Sequence, residues 1–201
     1  RVVDIGCGIG FVMRWLAAHH AAPDVEYIGV DYNATLIRAA QHLADVESLP
    51  ARFIVGNAFE LQEPAHIYTS TGVIHHFRGE DLHTFFAKQR GPHTLGCAHF
   101  DIQASWASPI GAAIFHWARF HERVAHHDGL VSALRAHRGA PLLDALEDPT
   151  GEFAAMLFDN QDRFVPIFRI MQAAVGWRAE LVDELREQLG RGARRLREDR
   201  P

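Results

Sequence analysis

The chain has little lysine, little cysteine and no long apolar run. Lys88 is the only lysine among 20 Lys and Arg residues in a chain of 201. In so alanine-rich a sequence that bias reads as coding composition more than selection for guanidinium chemistry, so arginine clusters carry reduced weight. Cys7 and Cys97 are the only cysteines, too few for a disulfide framework, and a reducing compartment is the natural reading. No signal peptide or membrane-spanning run is visible, so a cytoplasmic chain that engages no membrane is expected. A basic excess is also missing: 25 acidic residues against 20 basic ones leave a net charge of −5, which implies no general nucleic-acid surface. With 48% hydrophobic and 22% charged residues, the chain can bury one sizeable core without disulfides or metal.

What is present is concentrated at the start. Val2-Val3-Asp4-Ile5 is a buried-strand run that leads into Gly6-Cys7-Gly8-Ile9-Gly10. The helix-like segment Phe11 to Ala18 follows. Strand, glycine turn and helix N-terminus together form a place where backbone can approach a ligand and unpaired N–H groups can receive it. The dinucleotide fingerprint G-x-G-x-x-G would need glycine at position 11, where Phe11 stands, so nicotinamide is disfavoured.

Helical spacing of Phe11, Val12, Trp15 and Leu16, and again of Leu36, Ile37, Ala40 and Leu43, puts helices after the first two strands. Tyr27 to Asp31, Arg52 to Val55, Ile67 to Thr71 and Leu95 to Ile102 read as further strands, with Glu80 to Arg90 helical before the last. This alternation predicts a parallel sheet. Beyond Ser105 the pattern changes. Pro109 to His127, Leu130 to Arg138, Glu152 to Leu157 and Phe164 to Val175 all read as helices. Val175 to Trp177 followed by Glu180 to Val182 is only a weak strand pair, and the Arg-rich tail from Arg191 to Arg200 reads as a solvated, frayed end.

The early segments resemble the class I S-adenosylmethionine-dependent methyltransferases, whose first motif sets an acid before G-x-G-x-G, matched here by Asp4, Gly6, Gly8 and Gly10. The resemblance runs through roughly residues 2 to 77. It implies a Rossmann-like α/β fold with a mostly parallel sheet and, in this chain, a helical C-terminal elaboration. It also implies S-adenosylmethionine as cofactor and methyl transfer to a small-molecule acceptor. By the same resemblance the loop, Cys7 included, approaches the amino-acid end of the cofactor, with Asp4 positioning the turn and the methionine amine. Asp31, beside Tyr32, accepts the ribose hydroxyls. Asn57, beside Ala58, takes the place of the family's adenine-binding Asp, and its side-chain carbonyl can still accept that bond. Thr71 ends the fourth strand and precedes a segment, Gly72 to Phe77, in which the family often has histidines. The division expected is a cofactor-binding core over 1–102 and a mainly helical part of the same domain over 103–201. Arg1 already stands inside the first strand, where the family has preceding helices, so a truncated start is expected.

His75 and His76 are the candidate bases for a hydroxyl acceptor, with His76 ahead because His75 follows the apolar strand directly. The alternative is that one of them caps the next helix or packs beneath the loop. On the helix from Pro109, Ile110, Ile114, Trp117, His121 and Val124 share one face at about 100° per residue. His116, Arg119, Arg123 and His127 line the other. Arg119 could hold an acceptor carboxylate or phosphate and His121 could enter the acceptor pocket, against a solvated cationic face and a core histidine. No histidine pair is placed to chelate on its own, and no metal is expected. A non-catalytic S-adenosylmethionine-binding module and a different nucleoside-dependent enzyme of the same fold remain open, as does the oligomeric state.

Overall fold

A computed structural model of the chain describes all residues except 21, 23, 62–63, 120–122, 160–170 and 199–201. An eight-stranded sheet runs through it in the order β3-β2-β1-β4-β5-β7-β6-β8. The first five strands, β1 (Val2–Ile5), β2 (Tyr27–Asp31), β3 (Ala51–Val55), β4 (Ile67–Thr71) and β5 (Gly96–Ile102), are parallel. Because the order reverses beside β1, the carboxyl ends of β1 and β4 diverge into a crevice, the usual ligand position in such sheets.

Each early crossover has a local cause. Gly10, at φ 74°, turns the chain from the loop into α1 (Phe11–His19). Asn33 caps α2 (Ala34–Val46), its side-chain oxygen accepting from the N–H groups of Thr35 and Leu36. Met13 and Ala17 of α1 and Ile37, Ala40 and Ala44 of α2 bury against Tyr27, Ala51 and Phe53 on one sheet face. Leu82, Phe85 and Phe86 of α3 (Glu80–Ala87) and Leu142, Leu143 and Leu146 of α6 (Gly139–Leu146) cover Val3, Ile5, Ile28 and Val30 on the other.

The second half departs from the sequence reading in three places. Glu152 to Leu157 and Phe164 to Val175 read as helices, yet β6 (Phe153–Asp159) and β7 (Met171–Arg178) form an antiparallel pair, with β7 also antiparallel to β5. Residues 164–170 lie outside those described. Both strands carry alanine pairs, Ala154-Ala155 and Ala173-Ala174, and β7 is buried along most of its length. The sequence therefore shows a helix-forming composition with no period-two alternation, and sheet pairing overrides it. The single helix read over Pro109 to His127 is two helices that pack together, α4 (Ser108–Arg119) and α5 (Arg123–Arg135). Ile110, Ile114 and Trp117 of α4 are exposed. The Arg-rich tail is held as well: after α7 (Val182–Leu189) and a 3₁₀ turn over Gly190–Arg195, β8 (Leu196–Arg197) pairs with β6 and buries Leu196. Among the described residues no helix is long and apolar enough to cross a membrane.

Candidate active site

The glycine loop is tied to β2 by the N–H groups of Gly6 and Cys7, both donating to the Val30 carbonyl at 2.7 and 3.0 Å. All three glycines have positive φ, 69°, 55° and 74°, a region that L side chains enter at a cost. Their surroundings differ. A Cβ on Gly6 would stand 2.6 Å from Val73 Cγ2, and one on Gly10 would stand 2.3 Å from the Phe53 ring. At Gly8 no described atom lies within 4 Å of that position. Gly6 thus lets the segment after β4 close on the loop, Gly10 lets α1 sit on the sheet, and Gly8 faces an open cradle. Cys7 packs its sulfur toward Gly29, and burial, with Asp4 and Asp31 nearby, pushes its thiol pKa well above the ordinary range.

Asp31, at the end of β2, is almost buried. Its Oδ2 accepts from Gly8 N at 3.0 Å and its Oδ1 from Asn33 N at 2.8 Å. It therefore braces the loop and starts α2, while a carboxylate still has lone pairs to offer a ligand. Asp4 is 3% exposed, and its Oδ1 has no hydrogen-bond partner among the described residues. Burial, reinforced by the Asp31 charge, raises its pKa to about 7.

A pocket of about 470 Å³ opens at this edge of the sheet. Of the residues expected in the cofactor site, Gly6, Asp31, Tyr32, Asn57 and Ala58 line it, together with His76. Phe59, Val73 and Phe77 add apolar wall. Asp4, Cys7, Gly8, Gly10 and Thr71 do not line it; Thr71 is exposed at the end of β4. Asn57 uses one lone pair of its side-chain oxygen on Phe59 N at 3.0 Å, closing a local turn.

The histidine pair divides into a buried and an exposed member on the 3₁₀ turn Ile74–His76. His75 is buried and clamped by Asp101 of β5, which accepts from its backbone N at 2.9 Å and from Nδ1 at 2.9 Å. Since a carboxylate only accepts, the Nδ1 carries the proton. Nε2 is buried without a partner among the described residues. The His76 ring lies 4.2 Å from that of His75, centroid to centroid, and reaches the pocket. Burial and the neighbouring His75 lower its pKa, and the charges of Asp128 and Arg135 on α5 also act on it. In the sequence Asp101 marks only the end of the fifth strand, because the β4–β5 pairing is what brings it under the turn.

Arg119 ends α4 and its side chain lies outside the described set, as does the whole of His121. Among the described residues no cluster of three or more His, Cys, Asp or Glu is placed to hold a metal ion.

Residues 2–90 match a methyltransferase domain family, a segment that contains the glycine loop, Asp31, Asn57 and the histidine pair. That segment is thereby similar to a methyltransferase domain, and the fold is shared with methyltransferases solved with bound S-adenosylmethionine or S-adenosylhomocysteine. Among solved structures it is similar to magnesium protoporphyrin IX methyltransferase from Synechocystis PCC 6803 with bound S-adenosylhomocysteine, at 15% identity and a TM-score of 0.60, covering 89% of this chain and 74% of that one. It is also similar to a protein that converts a disulfide bond into a thioacetal group during echinomycin biosynthesis, at 19% identity, TM-score 0.61, with 94% and 81% covered. A third likeness is to a methyltransferase from Aquifex aeolicus, at 12% identity, TM-score 0.58, with 87% and 80% covered. At these identities the structural likenesses concern the fold. Curated protein sequences give no match.

Proposed function

We propose that the chain transfers the methyl group of S-adenosylmethionine to a small-molecule acceptor by in-line displacement, with His76 at the reacting end of the pocket. The observation that carries this is the single cavity whose wall joins Gly6 and Asp31 to Asn57 and His76. The cofactor, when bound, supplies a methyl group already activated by a sulfonium.

The residues fit that group. The open cradle at Gly8 leaves room for the methionine end, and the unpartnered Oδ1 of Asp4 offers an acceptor for an ammonium. Asp31 is assigned to the ribose hydroxyls. Asn57, Ala58 and Phe59 are assigned to the adenine ring, with Tyr32 at the exposed rim. The task left to the chain is to align the acceptor and exclude water. For a hydroxyl acceptor His76 takes the proton; its depressed pKa keeps it neutral, and so able to accept, at neutral pH. His75, locked by Asp101, packs against His76 and holds it toward the pocket. The named likenesses include a magnesium protoporphyrin IX methyltransferase and a protein of echinomycin biosynthesis, which supports a small-molecule acceptor here.

A screen of small phenols, carboxylates and amines that detects S-adenosylhomocysteine release tests the reading. Release with at least one acceptor class, lost in His76→Ala for a hydroxyl acceptor, is expected. Equal turnover by His76→Ala and wild type would remove the base.

A further inference from the structure

The turn that carries His76 is held from behind by a residue that neither motif nor spacing singles out. His137 lies in the linker between α5 and α6 and is 6% exposed. Its Nε2 stands 3.1 Å from the Ile74 carbonyl and 3.0 Å from the Phe77 carbonyl, at the two ends of the 3₁₀ turn. Arg78 Nη1 stands 2.9 Å from the His137 Nδ1 and 3.3 Å from its Nε2, and Arg78 Nη2 donates to the Arg135 carbonyl at the end of α5. The linker is itself anchored: the His137 carbonyl accepts from Gln172 Nε2 of β7 at 2.7 Å and from Ala104 N at 3.0 Å.

With two carbonyls on Nε2 and the guanidinium nearer Nδ1, these partners favour one form of the ring. Between two carbonyl oxygens Nε2 must carry a hydrogen, and against a guanidinium N–H the Nδ1 must be a bare lone pair. A second proton on Nδ1 would set N–H against N–H and put a cation beside Arg78. Burial and the Arg78 charge oppose that proton, while the two carbonyls and the Asp101 carboxylate of β5 favour it; the first group prevails and the pKa is lowered. The segment held this way contributes Val73, His76 and Phe77 to the cofactor pocket.

We propose that His137 is a positioning residue: from the α5–α6 linker its neutral ring holds the turn after β4 in place as one wall of the cofactor pocket, so that protonating it loosens cofactor binding. The inference rests on the reading that S-adenosylmethionine occupies that pocket. It adds a dependence of the cofactor site on the helical segment, which touches the pocket through this turn.

Calorimetric titration with S-adenosylhomocysteine from about pH 8 to about pH 5, on wild type, His137→Gln and His137→Ala, tests it. Glutamine can donate an amide N–H to the carbonyls and accept from Arg78, yet it does not titrate. Wild type and His137→Gln should bind within about twofold at high pH and diverge below the ordinary histidine range. The wild type should then be about three- to tenfold weaker at the acid end, the size of one or two lost hydrogen bonds. The Asp4 titration is common to both proteins and cancels in the ratio. His137→Ala, which strands both carbonyls, should bind about tenfold more weakly than wild type at high pH, and the gap should narrow at the acid end. A ratio that stays at one across the range, a glutamine variant as weak as alanine at high pH, or an alanine variant as tight as wild type there would each overturn the role. Failure of the wild type to bind at any pH would instead overturn the cofactor reading on which the inference stands.

Discussion

Gly6, Gly8 and Gly10 look alike in the motif and have different duties. Gly10→Ala combines the strain of φ 74° with a Cβ 2.3 Å from the Phe53 ring, and overpacking of that kind costs about 1–3 kcal/mol beyond the backbone term. Gly8→Ala meets no described atom and carries only the strain of φ 55°, roughly 1–2 kcal/mol. Urea unfolding should therefore find Gly10→Ala the less stable variant. Titration with S-adenosylhomocysteine should find Gly8→Ala weakened by about tenfold or more, because its new methyl group stands in the cradle. Normal affinity in Gly8→Ala would make that glycine a structural turn only. The same scale governs His76. Its alanine variant should keep cofactor affinity while turnover on a hydroxyl acceptor falls by about 10²- to 10⁴-fold, with partial recovery at high pH where the acceptor ionises unaided. Unchanged rates would mean that alignment alone drives transfer.

Among the elements, β5 does more than complete the parallel sheet. Its His99 lies fully buried in a chain of hydrogen bonds, with Nδ1 2.8 Å from Ser70 Oγ of β4 and Nε2 2.7 Å from Gln89 Oε1. The Gln89 amide donates to the Phe85 carbonyl, so its oxygen accepts from Nε2 and the Nδ1 accepts from Ser70. Burial lowers the His99 pKa from the ordinary 6.5 to about 3. Between those values the unfolded chain holds a proton that the folded one refuses, so this contribution is fully present above the unfolded value and is lost as pH falls toward the folded one. Unfolding free energies from urea titrations between neutral pH and about pH 4.5 should drop with a slope of up to about 1.4 kcal/mol per pH unit from this group. His99→Gln should flatten that slope by about one proton, and an identical slope would show that His99 is not the group responsible. This chain of bonds was not legible beforehand, because Ser70, Gln89 and His99 meet only through the β4–β5 register and the packing of α3. The first five strands were legible, since glycine turns and acids punctuate their carboxyl ends. The later antiparallel pair was not, because Ala154-Ala155 and Ala173-Ala174 resemble helix and only the neighbouring strands of the sheet make them strand.

At the level of the whole molecule, the site has two halves of different legibility. The half assigned here to the cofactor is written in short segments at the ends of β1, β2 and β3, where Gly6, Asp31 and Asn57 line one cavity. Local chemistry suffices to read such a half. The other half, the turn after β4 with Asp101 beneath it and His137 behind it, is assembled from β5 and the α5–α6 linker. Nothing in the spacing of those residues announces that they meet. The Asp4–Asp31 pair shows the same limit: both acids were visible, but the burial that raises Asp4 to a pKa of about 7 belongs to the folded sheet. If an ammonium binds at Asp4, it favours the ionised carboxyl, so cofactor binding near neutral pH should release a proton and strengthen as pH rises through that region. Calorimetry in two buffers of different ionisation enthalpy should register that proton, and Asp4→Asn should abolish it; identical proton counts in the two proteins would place the ammonium elsewhere.

The proposed function places S-adenosylmethionine across the ends of β1, β2 and β3 with its ribose on Asp31. Calorimetric titration of wild type and Asp31→Ala with S-adenosylhomocysteine, with circular dichroism to follow the fold, tests it most directly. One site per chain is expected, with a loss of about 1.5 to 3 kcal/mol in the variant, roughly 10- to 150-fold in affinity, from removing a charged acceptor. A dissociation constant unchanged by the substitution, in a variant that keeps its fold, would contradict it.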